Sequence, residues 1–195
     1  MKNIHQIIDA GHGFNTKGKE SEGFKNSNGT IQLKENNVNE AIANKLSMLH
    51  FMNDTPFTFI TNEWNDISLK ERCLREQNVV DDIIDDSMFI SIHADAFHVK
   101  NIATGGTFFY HSEEGKKITE FYTKYFNNNG YDLKIREPKQ ANFYMLKNTS
   151  SPAILFELGY MTSQSDLEYL KSESFRNKTA KLLYDCHIAY SNYTY

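Results

Sequence analysis

Residues 87–93 read Ser-Met-Phe-Ile-Ser-Ile-His. This nearly continuous apolar run reads as a central strand buried on both faces, the kind found in sheets covered by helices. Ala153–Glu157 (AILFE), which follows Pro152, reads the same way. Upstream, Ile4, Ile7 and Ile8 form a short strand that stops at Gly11-His12-Gly13, a tight turn. Thr55–Thr61 and Gly105–Tyr110 supply further strands. Between them lie helices. From Glu35 to about Phe51, the residues Val38, Ala41, Ile42, Leu46 and Leu49 recur at helical spacing. Ser68 or Asp66 opens a helix to Val80, and Ser112 opens one carrying Ile118, Phe121, Tyr122 and Tyr125, which stops at Asn127-Asn128-Asn129-Gly130. Ser163 or Asp166 caps a short helix, and Phe175–Tyr190 is the last amphipathic one. Strands alternating with helices predict an α/β architecture, with a twisted, mostly parallel or mixed sheet of about six strands flanked by helices. Residues 13–34 have no period and form a long loop, a candidate wall of a cleft.

The chain has 195 residues, which predicts a single domain with no separate binding module. Its 21 basic and 25 acidic side chains give a net charge of −4, which argues against a nucleic-acid footprint. No apolar run is long enough for a membrane span, and no secretory signal is visible near Met1. A monomer is expected. Cys73 and Cys186 are too few for a disulfide framework and read as buried free thiols. The acidic stretch Asp81–Asp86, with Ile83 and Ile84 at its centre, reads as a solvated turn.

His5, His50, His98, His111 and His187 lie at element ends or on mixed faces, where a solvated or hydrogen-bonded imidazole is expected. His12 and His93 differ, because each sits where a predicted strand ends, as does Glu157. In open α/β sheets sites form in the crevice at the carboxyl ends of strands. A metal needs a third ligand. Stepping about 100° per residue from Glu35 puts Val38, Ile42, Leu46 and Leu49 within about 60° of it. Glu35 therefore opens its helix on the inward face, whereas Glu40 falls with the asparagines on the outward side. His12, Glu35 and His93 make a His₂Glu set, one of the usual arrangements for catalytic zinc with an open fourth position. Glu157 is then the natural general base. No H-E-x-x-H motif and no G-x-S-x-G elbow is present.

The segments IIDAGHG (7–13), LKENNVNEAIANKL (33–46), ISLKER (67–72), FISIHADA (89–96) and NFYMLKNTSSPAILFELGYMTSQSDLEYL (142–170) resemble, in order, the zinc-dependent N-acetylmuramoyl-L-alanine amidases. The resemblance implies a zinc-exopeptidase-like sheet, one zinc ion held by His12, Glu35 and His93, and Glu157 as catalytic glutamate. It implies peptidoglycan as substrate and the N-acetylmuramic acid–L-alanine amide as the bond cut. The chain departs from the family's usual turn, with Ala10 before Gly-His-Gly and Phe14 after it, and Asn15–Lys19 also differ. The segment between His93 and Glu157 leaves no room for a long inhibitory insertion, so an open site is expected. A phage or prophage endolysin fits a wall hydrolase without an export signal, made in the cytoplasm and acting after membrane opening. The competing readings are a zinc carboxypeptidase or endopeptidase on stem peptides, and a non-catalytic wall-binding module.

Overall fold

The computed structural model describes residues 4–21, 24, 32–84 and 86–193. Six strands form one mixed sheet: β1 (His5–Ala10), β2 (Phe57–Phe59), β3 (Ser87–Asp95), β4 (Gly106–Tyr110), β5 (Ile135–Gln140) and β6 (Ala153–Tyr160), in the order β2-β1-β3-β6-β4-β5. All neighbours are parallel except β4 and β6, which run antiparallel. The helices are α1 (Glu35–Met52), α2 (Leu69–Asp82), α3 (Glu113–Asn128), α4 (Tyr144–Asn148), α5 (Gln164–Lys171) and α6 (Glu173–Tyr193). Ser68, Ser112 and Ser163 cap α2, α3 and α5 by accepting a backbone N–H three residues on.

The period-2 alternation of the central strands sorts side chains onto two faces. Ile8, Ile90, Ile92, Ile154 and Phe156 join the larger core with Val38 and Ile42 of α1, Tyr122 of α3 and Leu183 of α6. On the other face Ile7, Phe89 and Leu155 pack with Met145 and Leu146 of α4. Further along this second face, towards the carboxyl ends of the strands, the alternation presents polar groups instead: Asp9, Ser91, His93 and Glu157. The register aligns Asp9 with Ser91 and His93 with Glu157. His93 and Glu157 therefore occupy the top of the thinner layer.

Several expectations change. β3 runs on to Asp95 and β6 to Tyr160, so His93 and Glu157 are a cross-strand pair inside the ladder rather than strand-end residues, with a bulge immediately after His93. β5 and α4 were not expected. β5 carries Arg136, Glu137, Pro138 and Lys139 on a sheet edge, and the register shifts around its proline, which is where a strand tolerates one. Cys186 is a buried free thiol, but Cys73 is only half-buried, beside Met145 Sδ at 3.8 Å. Asn36 and Asn39 of α1, expected on the outward side with Glu40, are buried, and Glu40 itself is half-buried. Asp81 and Asp82 close α2 and are exposed, while Asp85 lies outside the described residues.

His50 and His187 are fully buried beside each other, with ring centroids 5.3 Å apart. His50 hydrogen-bonds Thr55 Oγ1 at 2.8 Å and Gln6 Oε1 at 2.7 Å, and His187 Nε2 donates to the Ile4 carbonyl at 2.9 Å. Burial holds their imidazoles down at about 3 for His50 and about 4 for His187. In the unfolded chain both titrate near ~6.5. Above that pH both states are neutral and this pair adds no pH dependence. Below it the unfolded chain binds protons that the folded protein refuses, so stability falls as pH drops, levelling off only near the folded values. The expected loss is on the order of 2 kcal/mol per histidine by about pH 5. Ring-proton NMR checks the premise directly, since neither imidazole should charge above about pH 5.

Candidate metal centre

β1 delivers the chain to His12, which adopts φ 65°. An L-residue in this left-handed region costs roughly 1–2 kcal/mol, so the surroundings must hold it there. The flanking glycines serve close approach rather than unusual φ. A Cβ on Gly11 would sit 2.1 Å from His93 Cε1, and one on Gly13 would sit 2.0 Å from the Asp66 nitrogen. Gly11 thus makes room for the His93 ring, and Gly13 lets the segment before α2 lie against the turn. There Phe14 N donates to the Trp64 carbonyl at 2.9 Å, Asp66 N to Asn15 Oδ1 at 2.7 Å, and Thr16 Oγ1 to Asp66 Oδ2 at 2.6 Å. Phe14 stacks on the exposed Trp64 at 4.3 Å, with Lys34 Nζ 3.7 Å over the Phe14 ring. This aromatic stack is built on one of the positions where the sequence departs from the family turn.

Glu35 reaches the same place from the opposite layer. The described ends of the 13–34 segment pair with each other: Ser21 N donates to the Leu33 carbonyl at 2.9 Å, and Glu35 N to the Lys19 carbonyl at 2.9 Å. That pairing fixes the first turn of α1 and buries Glu35, which is 2% exposed. A carboxylate there is also favoured by the helix dipole. Glu35 Oε1 accepts from the Ala94 nitrogen at 3.2 Å and from Asn39 Nδ2 at 3.4 Å, and lies 3.0 Å from His93 Nδ1. Its Oε2 is 3.4 Å from His12 Nε2 and 3.8 Å from Lys19 Nζ. Asn39 also donates to the Gly11 carbonyl at 3.0 Å, tying α1 to the histidine turn.

The structure thus brings His12, Glu35 and His93 together, with their ligand atoms all within 4.8 Å of one another. The two rings meet edge to face at 5.0 Å. Burial lowers His12 to about 4, only partly opposed by Glu35. Burial alone would raise the Glu35 carboxyl, but its hydrogen bond to His93 and the charges of His93, His12 and Lys19 bring it below the ordinary value. For His93 burial pulls downward, and Glu35 and Glu157 more than offset it, so its pKa is raised. The surroundings thus favour the charged forms of Glu35 and His93 and disfavour the charged form of His12. Among the described residues His12 Nε2 is buried without a hydrogen-bond partner. An unsatisfied imidazole nitrogen aimed at a carboxylate, with a second imidazole alongside, is the donor set a zinc ion takes.

On β6, Glu157 stands across from His93 of β3 and from Thr107 of β4. Its Oε2 is buried and has no hydrogen-bond partner among the described residues. Burial pushes its carboxyl up to about 8, with Glu35 and Asp95 adding to the rise and His93 opposing it. A dication at the neighbouring set would draw it back towards the ionised form.

Three residues that the sequence did not single out lie directly beneath. Asp9, 1% exposed, pairs with Arg72 Nη1 at 2.5 Å and accepts from Ser91 Oγ at 2.5 Å. Ser91 Oγ is in turn 3.0 Å from His93 Nε2. Arg72 also donates to the carbonyls of Ala10 at 2.7 Å, Ile67 at 3.2 Å and His12 at 3.3 Å, and to Asp66 Oδ1 at 2.8 Å. A cleft of about 290 Å³ opens here, lined by His12, His93, Asp66–Leu69 and Met145. A second, of about 460 Å³, lies between Gly18, Glu20 and the Ala96–Lys100 segment. A larger groove between α3 and α6, about 580 Å³, is lined by Phe121, Tyr125, Tyr190 and Tyr193 and contains no histidine.

Residues 7–186 match the family of N-acetylmuramoyl-L-alanine amidases, and the chain belongs to that family. It is 27% identical over 189 residues to the N-acetylmuramoyl-L-alanine amidase LytC of Bacillus subtilis, covering 94% of this chain and 35% of LytC. To the protein named "Probable cell wall amidase LytH" of Staphylococcus saprophyticus it is 25% identical over 178 residues, covering 91% of this chain and 55% of the relative, so it spans about a third to about half of these curated relatives. Among solved structures it superimposes on an N-acetylmuramoyl-L-alanine amidase from Clostridium difficile 630 with TM-score 0.82, at 27% identity, covering 97% of both chains. AmiC2 of Nostoc punctiforme gives 0.79 at 25% identity, covering 96% of both.

Proposed function

We propose that this chain is a zinc-dependent peptidoglycan amidase, hydrolysing the amide between the lactyl group of N-acetylmuramic acid and L-alanine. The observation that carries the reading is the convergence of His12, Glu35 and His93 within 4.8 Å, with the orphaned Glu157 carboxylate on the strand beside them. Family membership supports the bond assignment, because the amidases it resembles are named for it. His12, Glu35 and His93 would hold one zinc ion, which in such a site polarises a carbonyl and activates a water.

The chain's own residues do the remaining work. Glu157 takes the water's proton at Oε2 and returns it to the leaving amide nitrogen, so one carboxylate serves as base and then acid. Its desolvated position suits that shuttle, since burial keeps the proton from being lost to bulk solvent. The hydrogen bond to His93 and the positive charges nearby hold the Glu35 carboxyl below its ordinary value, which favours the ionised form. The cleft lined by His12 and His93 supplies room for the substrate beside the metal set, so recognition rests in the groove around the metal. The segment between His93 and Glu157 is spent on β4, α3, β5 and α4, which supports an unobstructed site.

Incubation with purified cell walls tests the reading. Clearing should come with new L-alanine amino termini and should stop when a chelator strips the metal, then resume when zinc is returned. Release of reducing sugars without new amino termini would overturn the amidase assignment. New termini at bonds within the stem peptide would favour a peptidase instead.

A further inference from the structure

The hydrogen-bond polarity below the histidines decides which nitrogen of His93 carries a proton. Asp9 is a buried carboxylate paired with the Arg72 guanidinium, so its oxygens only accept. Ser91, fully buried, lies 2.5 Å from Asp9 Oδ2 and 3.0 Å from His93 Nε2. A hydroxyl has one hydrogen to give. With that hydrogen directed at the carboxylate, Ser91 Oγ meets Nε2 with a lone pair, and the contact is a hydrogen bond only if Nε2 carries the proton. The other ring nitrogen, Nδ1, faces Glu35 Oε1 at 3.0 Å, on the side where His12 Nε2 also points. We propose that Asp9, acting through Ser91, fixes the tautomer of His93: Nε2 keeps its hydrogen and Nδ1 is the nitrogen offered to the metal.

Both links are set by the fold. Asp9 and Ser91 are register partners on adjacent parallel strands, and Ser91 and His93 are two residues apart on the same face of β3. The sheet ladder itself therefore holds the relay at hydrogen-bonding distance. Gly11 completes the arrangement, because its missing side chain is the space the His93 ring fills. Asp9 and Ser91 touch neither the metal nor the reacting bond in this scheme. They are positioning residues, acting through His93.

The inference rests on the metal reading above, and its tests are kept separate from turnover. In zinc-loaded protein labelled with ¹⁵N-histidine, proton–nitrogen correlation should show a hydrogen directly bonded to His93 Nε2 and none on Nδ1. A zinc-loaded spectrum with Nε2 bare would overturn the proposal outright, and this measurement needs no variant. Ser91→Ala removes the relay and leaves the Asp9–Arg72 pair in place. Its zinc affinity, from competition with a chromophoric chelator, should fall about 10–100-fold, the usual consequence of losing a group that orients a metal-bound histidine. Wild-type affinity in Ser91→Ala would show that the hydroxyl is bystander packing. If the wild-type protein takes up no zinc at all, both the relay and the underlying metal reading fall together.

Discussion

Glu157→Gln is expected to lower kcat by about 10²–10⁴ while KM changes little and the protein still takes up one zinc ion. The side chain keeps its shape and loses only the capacity to accept a proton. The structure explains why the fold should tolerate it. Glu157 Oε2 is buried and lacks a hydrogen-bond partner among the described residues, and burial holds its carboxyl up at about 8. In the metal-free protein at neutral pH it is largely protonated, so a neutral amide replaces a neutral acid at little cost. Urea unfolding of metal-free Glu157→Gln should therefore match or exceed wild type. Steady-state kinetics on a defined muropeptide, with zinc counted per chain, completes the test. Loss of zinc alongside activity would make Glu157 a ligand, and undiminished turnover would remove it from the chemistry.

The four residues carrying this reading are legible in the sequence for a simple reason. Each is a chemically distinctive side chain at a place where the pattern changes: His12 after an apolar run, Glu35 at the start of an amphipathic helix, His93 and Glu157 at the apparent close of buried strands. The pattern is less informative about extent. β3 and β6 continue past His93 and Glu157, because Ala94–Asp95 and Leu158–Tyr160 keep the ladder without keeping the apolar run. β5 is hidden because an edge strand needs no apolar face, and IREPKQ looks like a loop.

The supporting polar residues are hidden for the opposite reason. Asp9 and Ser91 sit inside apolar runs, where a single polar residue looks like a lapse in the pattern. Arg72, Asn39 and Glu76 sit on helices, where a polar residue looks like an outward face. All five are buried. Each is compensated by a partner distant in sequence: Arg72 is 63 residues from Asp9, Asn39 is 28 from Gly11, and Glu76 is 75 from Ser151. Periodicity describes one element at a time and carries no information about such pairings. The one available signal was indirect, since the resembling segments IIDAGHG, ISLKER and FISIHADA contain Asp9, Arg72 and Ser91 beside the residues that were singled out.

Arg72→Ala should cost about 3–5 kcal/mol of folding stability, a large share of the roughly 5–15 kcal/mol typical of a domain. Arg72 is 2% exposed, and its guanidinium is shared among Asp9, Asp66 and the carbonyls of Ala10, Ile67 and His12. Removing it strands the Asp9 carboxylate, 1% exposed, with only the Ser91 hydroxyl for compensation among the described residues. It also frees the carbonyl of His12, whose φ of 65° needs restraint. Arg72→Lys keeps the charge but offers a point cation on a flexible stem, which cannot span two carboxylates and three carbonyls from one place. It should recover only part of the loss. Urea unfolding of the metal-free proteins measures both, and a deficit under about 1 kcal/mol for Arg72→Ala would mean that Asp9 is not held as a buried ion. The contrast with Glu157 is the sharper result. Glu157→Gln should remove turnover and leave stability intact, whereas Arg72→Ala should remove stability first, because the site is assembled on a buried ion pair.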